Sequence, residues 1–163
     1  MKVSDVMSRQ IAVIPPDASL QEAARIMRDL DVGFLPVGQE GKLVGVITDR
    51  DIACRAVATG VQPATAIGHT MTKGVMHCRE DQDIAEAARL MATKQIQRLP
   101  VLNRAGHLAG ILSVSDLALR ASHKLTAQVI EAISCAPGRT IVKAGMASER
   151  GRPPPPTNRR RAR

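Results

Sequence analysis

The sequence predicts an α/β (α+β) fold: two β-α-β-β-α units packed about a pseudo-two-fold axis. The chain reads onto itself over most of residues 3–122. Within each copy the apolar pattern passes from strand-like to helix-like and back in the same order. One unit of about 55 residues buries too little surface to be robust alone. The two are therefore expected to pack sheet against sheet around one shared core.

With the chain shifted by 64 positions, Val6-Met7-Ser8 meets Thr70-Met71-Thr72. Leu20, Ala23, Ala24 and Met27 meet Ile84, Ala87, Ala88 and Met91, and Leu35-Pro36-Val37 meets Leu99-Pro100-Val101. One inserted residue then moves the offset to 65, where Gly45 meets Gly110 and Asp51-Ile52-Ala53 meets Asp116-Leu117-Ala118. An internal repeat of this length governs the whole fold assignment.

Each copy opens with a short β run, Ile11–Ile14 or Val75–Cys78. A helix follows whose apolar residues fall at i, i+3, i+4 and i+7, one face of a 3.6-residue period. Ser19 with Glu22, and Asp83 with Glu86, have the spacing of a reciprocal capping box. Two apolar strands come next, Phe34–Val37 and Leu43–Ile47, repeated as Leu99–Leu102 and Leu108–Leu112. Gly38 and Gly41, or Asn103 and Gly106, mark the turn between them. A second short helix closes each copy. The first unit spans 3–60, a linker 61–68 and the second unit 69–122. Leu125, Val129, Ile130 and Ile133 then predict an amphipathic helix over 123–138, ending near Pro137-Gly138.

Composition narrows the function. Phe34 is the only aromatic residue in 163, so the core is aliphatic. A single-stranded nucleic-acid binder stacks bases on aromatic platforms, and this chain has none to offer. No run approaches the roughly 18 apolar residues of a membrane span, and Met1-Lys2-Val3-Ser4-Asp5-Val6 is no apolar signal region. Cys54, Cys78 and Cys135 form no CxxC pair and read as reduced, mostly buried thiols. A cytoplasmic protein is expected. His69, His77, Cys78, His107 and His123 lack zinc-ligand spacing, so no metal site is assigned. No nucleophile motif, P-loop or metalloprotease helix is present, so the protein is not expected to be an enzyme.

The sharpest feature closes each hairpin: Gly45-Val46-Ile47-Thr48-Asp49-Arg50-Asp51, echoed by Gly110-Ile111-Leu112-Ser113-Val114-Ser115-Asp116. The hydroxyl falls where a strand gives way to a helix, and a helix start offers unpaired N–H donors to a phosphate. The aspartate three residues on lies over the same turn, where a carboxylate can accept both hydroxyls of a vicinal diol. The same spacing also describes a helix cap.

These segments, together with the two Leu-Pro-Val strands, the paired Val-Met-Ser and Thr-Met-Thr segments and the Ala-Ala-x-x-Met helices, resemble a tandem CBS-domain protein, or Bateman module. Small stand-alone bacterial CBS pairs are the most similar. The resemblance covers about three-quarters of the chain. It implies a homodimer of modules and an adenosine-type ligand (AMP, ADP, ATP or S-adenosylmethionine) between the copies, with no required cofactor. Carried over by position, Asp51 and Asp116 hold ribose hydroxyls, and Thr48 and Ser113 contact sugar or phosphate. Backbone near Ile14, His77, Val37 and Val101 lines the adenine pocket. Arg98, just before the second Leu-Pro-Val, is placed where the family often binds phosphate, and Arg50 lies within the first motif. Such a protein would sense a ligand and pass a conformational change to an unidentified downstream protein. A ligand-free dimeric scaffold is the alternative.

Departures make the two copies unequal. Ala12 and Met76 stand where the family often has threonine. Phe34 stands opposite Arg98 in the repeat, and Arg50 opposite Ser115. One preferred site is expected, on the copy carrying Asp116 and Arg98.

Residues 143–163 hold seven of the 23 Lys/Arg and one of the 15 Asp/Glu, so most of the net +8 lies there. Pro153 to Pro156 and Arg159 to Arg161 give residues 146–163 the composition of a disordered tail. Such a tail can make a weak, salt-sensitive contact with a polyanion. Deleting residues 146–163 should abolish retention on DNA at low salt, measured by column binding; unchanged retention removes that contact.

Overall fold

The computed structural model describes residues 1–135. Its first copy contains α1 (Leu20–Asp29), β1 (Phe34–Gln39) and β2 (Lys42–Thr48). It closes with α2 (Asp49–Asp51), which winds on through a π-helical turn, Ile52–Ala56, and a 3-10 turn, Val57–Thr59. The second copy contains β3 (Cys78–Arg79), α3 (Ile84–Lys94), β4 (Arg98–Leu102), β5 (Leu108–Ser113) and α4 (Val114–Arg120). A final helix, α5 (His123–Ser134), packs on α3 and α4. The end expected near residue 138 and the basic tail lie outside the described residues.

The hairpins form as expected. β1 and β2 are antiparallel with Phe34 opposite Thr48, and β4 and β5 are antiparallel with Arg98 opposite Ser113. Glu40 and Gly41 both take positive φ, 53° and 76°, which a tight hairpin turn requires of its two central residues. The opening β runs are shorter than expected. The first is one parallel bridge from Ile14 to Val37. Pro15 and Pro16, which have no N–H to donate, follow at once. The second is two residues long, Cys78 and Arg79 beside Val101 and Leu102.

Ser19 and Asp83 cap their helices, accepting from the backbone N–H groups of Glu22 at 3.1 Å and Ala85 at 2.8 Å. The reciprocal boxes form elsewhere, at the closing helices. α1 buries Leu20, Ala23 and Met27, and α3 buries Ile84, Ala87, Ala88 and Met91. Ala24 is exposed whereas its repeat partner Ala88 is buried, because α5 covers that side of the second copy with Val129 and Ile133.

The core is not the single shared one expected. There are two clusters, and each copy lends a leading arm to the other. Ile67 (0% exposed), from the segment expected as a linker, is buried in the first copy's cluster with Ile14, Met27, Leu35 and Ile47, and Met71 packs against it. Val3, Val6 and Met7 are buried in the second copy's cluster with Met91, Leu99, Leu112 and Leu117.

The backbone repeats this exchange. Thr72 and Val46 trade two hydrogen bonds at 2.9 and 3.0 Å, as Ser8 and Ile111 do at 2.9 Å. Leu20 N donates to Thr65 O and Ile84 N to Met1 O, both at 3.0 Å. Lys42 and His107, repeat equivalents of each other, form an antiparallel bridge, so the pseudo-two-fold axis runs between them.

The cysteines depart from expectation. Only Cys78 is buried, and burial pushes its thiol up to about 11; Cys54 and Cys135 are exposed. No helix among the described residues is long and apolar enough to cross a membrane.

The arm exchange explains the glycine that opens each motif. A Cβ on Gly110 would stand 2.7 Å from Ser8 O and 2.9 Å from Met7 Sδ; on Gly45 it would stand 2.9 Å from Thr72 O and 2.8 Å from Met71 Sδ. Both clashes involve backbone, which cannot swing aside. Gly45→Ala and Gly110→Ala should each cost about 1–3 kcal/mol of stability, read as a lowered urea midpoint; an unchanged midpoint would show that the arms are not held this tightly.

Candidate functional site

Both strand-to-helix motifs form reciprocal caps. Asp51 N donates to Thr48 Oγ1 at 3.1 Å, while Asp51 Oδ2 accepts from Thr48 N at 3.0 Å and from its hydroxyl at 2.7 Å. Ser113 and Asp116 repeat the pattern: Asp116 N donates at 3.1 Å, and Asp116 Oδ2 accepts Ser113 N at 2.8 Å and the Ser113 hydroxyl. Each box satisfies N–H groups that a helix start would leave unpaired.

The other carboxylate oxygen ties each closing helix to the arm lent by the other copy, by different means. Asp116 Oδ1 accepts the Ser8 hydroxyl directly at 2.8 Å. Asp51 Oδ1 instead pairs with Arg55 Nε at 3.3 Å, and Arg55 Nη1 donates to Thr72 Oγ1 at 3.0 Å and Thr70 O at 3.3 Å. Arg120, the repeat equivalent of Arg55, donates to Val6 O at 3.2 Å.

Two clefts lie between the copies, related by the pseudo-two-fold axis. The first, about 680 Å³, is bounded by Phe34, Val46, Thr48, Asp49 and Arg50 of the first copy. Thr72, Val75, Met76, Ile96 and Arg98 of the second complete it. Asp49 folds back over Gly33, where a Cβ would meet its Oδ2 at 2.6 Å, and its Oδ1 accepts from Arg50 N at 2.6 Å. The second cleft, about 530 Å³, is bounded by Gln10, Ile11, Ala12, Leu30, Val32, Phe34, Leu35 and Ile111. Phe34 borders both. The first cleft carries two arginines and one aspartate; the second carries no charged side chain.

Thr48, Arg50 and Arg98 come together in the first cleft, with Asp51 behind Thr48. Ser113 and Asp116 meet at the start of α4. Arg98 stands opposite Ser113 in the β4–β5 register, beside the Ser113–Asp116 cap, and also borders the first cleft with Thr48, whereas Asp116 borders neither cleft. Ile14, Val37 and Val101 are buried in the cores, at 1%, 0% and 0% exposure, and border neither cleft. His77 is exposed, with Nδ1 3.2 Å from Val75 O, and borders a smaller recess of about 330 Å³ beside Lys42. The residues that do border the clefts from these segments are Ala12 and Met76, the two departures from the family pattern. Sequence reasoning missed Ser8, Thr72, Arg55 and Arg120. Their signal was present, since each pair recurs at the repeat offset.

Two β-α-β-β units, each closed by a hydroxyl–aspartate cap and separated by inter-copy clefts, define a paired-domain architecture. The family model described as CBS domain matches residues 3–56 and again 65–123, and the chain belongs to that family. The CBS domain-containing protein YhcV of Bacillus subtilis is 38% identical over 117 residues, covering 72% of this chain and 83% of that one. Among solved structures, Hypoxic Response Protein I with two coordinated zinc ions superposes with a TM-score of 0.68 at 29% identity, covering 75% of this chain and 100% of that one. The CBS domain pair of MJ0100 in complex with 5′-methylthioadenosine and S-adenosyl-L-methionine gives 0.64 at 32%, and CBSX2 in complex with AMP gives 0.64 at 27%. Each of these two covers 72% of this chain and 93% of its own. No group of three or more His, Cys, Asp or Glu able to hold a metal occurs among the described residues.

The two caps should differ in weight. Asp116 is 8% exposed and serves Ser8 and Ser113 from inside the fold. Asp51 serves Thr48 and a half-exposed arginine. Asp116→Ala strands the part-buried donors of Ser8 and Ser113 and should cost about 2–3 kcal/mol, whereas Asp51→Ala should cost about 1 kcal/mol. Denaturant unfolding of both variants measures the order; equal losses would contradict it.

Proposed function

We propose that this CBS pair is a cytoplasmic, non-catalytic regulatory module that binds an adenosine-type nucleotide in its first cleft and, as a homodimer, passes the resulting change in copy orientation to a downstream protein. The carrying observation is the convergence of Arg50 and Arg98 on a helix start beside an apolar wall of Phe34, Val75 and Met76. The wall suits a purine face and the guanidinium groups suit phosphate oxygens; Asp51, behind Thr48, is the carboxylate that the family resemblance assigns to ribose hydroxyls. The complexes of MJ0100 and CBSX2 support the ligand class. Two arginines against Asp49 favour AMP, ADP or ATP over S-adenosylmethionine, which carries a sulfonium charge. The second cleft, without a cation, is not assigned a phosphate. The first cleft's titratable side chains are Asp49, Arg50 and Arg98, a set suited to holding an anion rather than to proton transfer near neutral pH. A ligand alters copy orientation only through different affinities for the two arrangements.

The scaffold reading draws on a different observation: both aspartates already use both carboxylate oxygens within the chain. It applies most directly to the second cleft.

Calorimetry and dye-based melting suit a chain with no Trp or Tyr. Micromolar binding is expected. A nucleotide at a hundred times its Kd stabilises by about 2.7 kcal/mol, a rise of several degrees in Tm. Arg98→Ala should weaken ATP about tenfold, the loss of one hydrogen bond to a charged group. If saturating AMP, ADP, ATP and S-adenosylmethionine all leave the melting unchanged, the scaffold reading replaces this one.

A further inference from the structure

The clasps between each closing helix and the other copy's arm are unequal. In the second copy a buried carboxylate takes the arm directly, Asp116 Oδ1 accepting the Ser8 hydroxyl at 2.8 Å, while Arg120 donates separately to Val6 O at 3.2 Å. In the first the clasp is a relay. Arg55 stands between Asp51 and the arm, with Nε 3.3 Å from Asp51 Oδ1 and Nη1 on Thr72 Oγ1 and Thr70 O. The relay is the weaker construction. A charge-assisted N–H···O bond is ordinarily about 2.7–2.9 Å, and the Arg55 side chain is 54% exposed. The helix carrying it is also irregular: Ile52–Ala56 is π-wound, whereas α4 runs as an α-helix from Val114 to Arg120. Single π turns of this kind are frequent at functional sites.

Asp51 has one oxygen to give. Oδ2 already accepts two bonds from Thr48, which the helix start needs. A ligand diol reaching this carboxylate therefore meets Oδ1, which Arg55 holds. We infer that Arg55 is a positioning residue: it competes with ligand hydroxyls for Asp51, and so couples occupancy of the first cleft to the grip on the second copy's arm. The inference rests on the reading of this cleft as a nucleotide site. When a hydroxyl takes Oδ1, the guanidinium loses its anchor and with it the orientation that serves Thr70 and Thr72. Coupling is reciprocal, so a loosened arm eases ligand binding by the same factor. Asp116, satisfied by Ser8 without an arginine between, has no such relay.

The test separates the hydroxyl from the phosphate. Dissociation constants of AMP and 2′-deoxy-AMP are measured by calorimetry on the full chain, on Arg55→Ala and on Arg120→Ala. In the wild type the 2′-hydroxyl's gain is offset by displacement of Arg55. Arg55→Ala removes that offset, so the ratio of the 2′-deoxy-AMP constant to the AMP constant should rise about fivefold, the low end of ordinary coupling. Arg120→Ala should leave the ratio unchanged. Arg55→Gln, which keeps much of the side chain's bulk, should repeat the rise and serves if Arg55→Ala does not fold. AMP binding with an equal or smaller ratio in the Arg55 variants overturns this inference alone. No AMP binding to any of the proteins overturns the nucleotide reading and the inference with it.

Discussion

The exchange of leading arms is the constraint on which the molecule depends. A unit of about 55 residues cannot close its own core, and neither copy here does. Ile67 and Met71 reach back into the first cluster, and Val3, Val6 and Met7 reach forward into the second. The main backbone bonds of the exchange recur near the repeat offset, as in those of Thr72 with Val46 and Ser8 with Ile111, while its side-chain clasps differ. The two copies are therefore one folding unit despite having two cores. The clefts follow from the same exchange. The arm that pairs with one copy's last strand continues as a wall of the cleft, bringing Val75 and Met76 to the first and Ile11 and Ala12 to the second.

Much of this was legible in the sequence because it is local or periodic. The repeat, the helices, the hairpins and the glycine turns each rest on a few neighbouring residues. The positions of Gly45 and Gly110 were also visible, but their reason was not. They are small because an arm from about 25 residues downstream or about 100 upstream crosses over them, and spacing along one strand says nothing of that. The single shared core was a reasonable expectation from size alone. It failed because contiguous segments are not the units that pack: the stretch 61–68, expected as a linker, contains Ile67, which is fully buried.

The candidate site shows the same division. Thr48 with Asp51 and Ser113 with Asp116 were readable as cap or ligand contact, and they form caps. A cap does not exclude a ligand contact, but it restricts one to the carboxylate oxygen the helix does not need. Arg98 does stand opposite Ser113 in its own hairpin, close to the Ser113–Asp116 cap; what spacing along the chain does not show is that it also borders the cleft that Thr48 and Arg50 of the other copy line. Phe34, its repeat equivalent, borders both clefts.

Duplication supplies two equal frames, and the substitutions decide what each frame does. The second copy has covered one face with α5 and secured its clasp with a direct bond from Ser8 to Asp116. It has no arginine where the first copy has Arg50, and Val114 and Gln97 stand where the first copy has Asp49 and Gly33. The first copy is looser: a π turn, a half-exposed arginine as intermediary, and a cleft with a net positive lining. A sensing device needs one part that stays fixed and one that can change partner at low cost. The relayed polar contacts and the charged lining of Asp49 and Arg50 fall together at the start of the first copy's closing helix, and the direct Ser8–Asp116 bond at the start of the second's. The asymmetry therefore lies between two halves of one scaffold and follows from residue identities at a few equivalent positions.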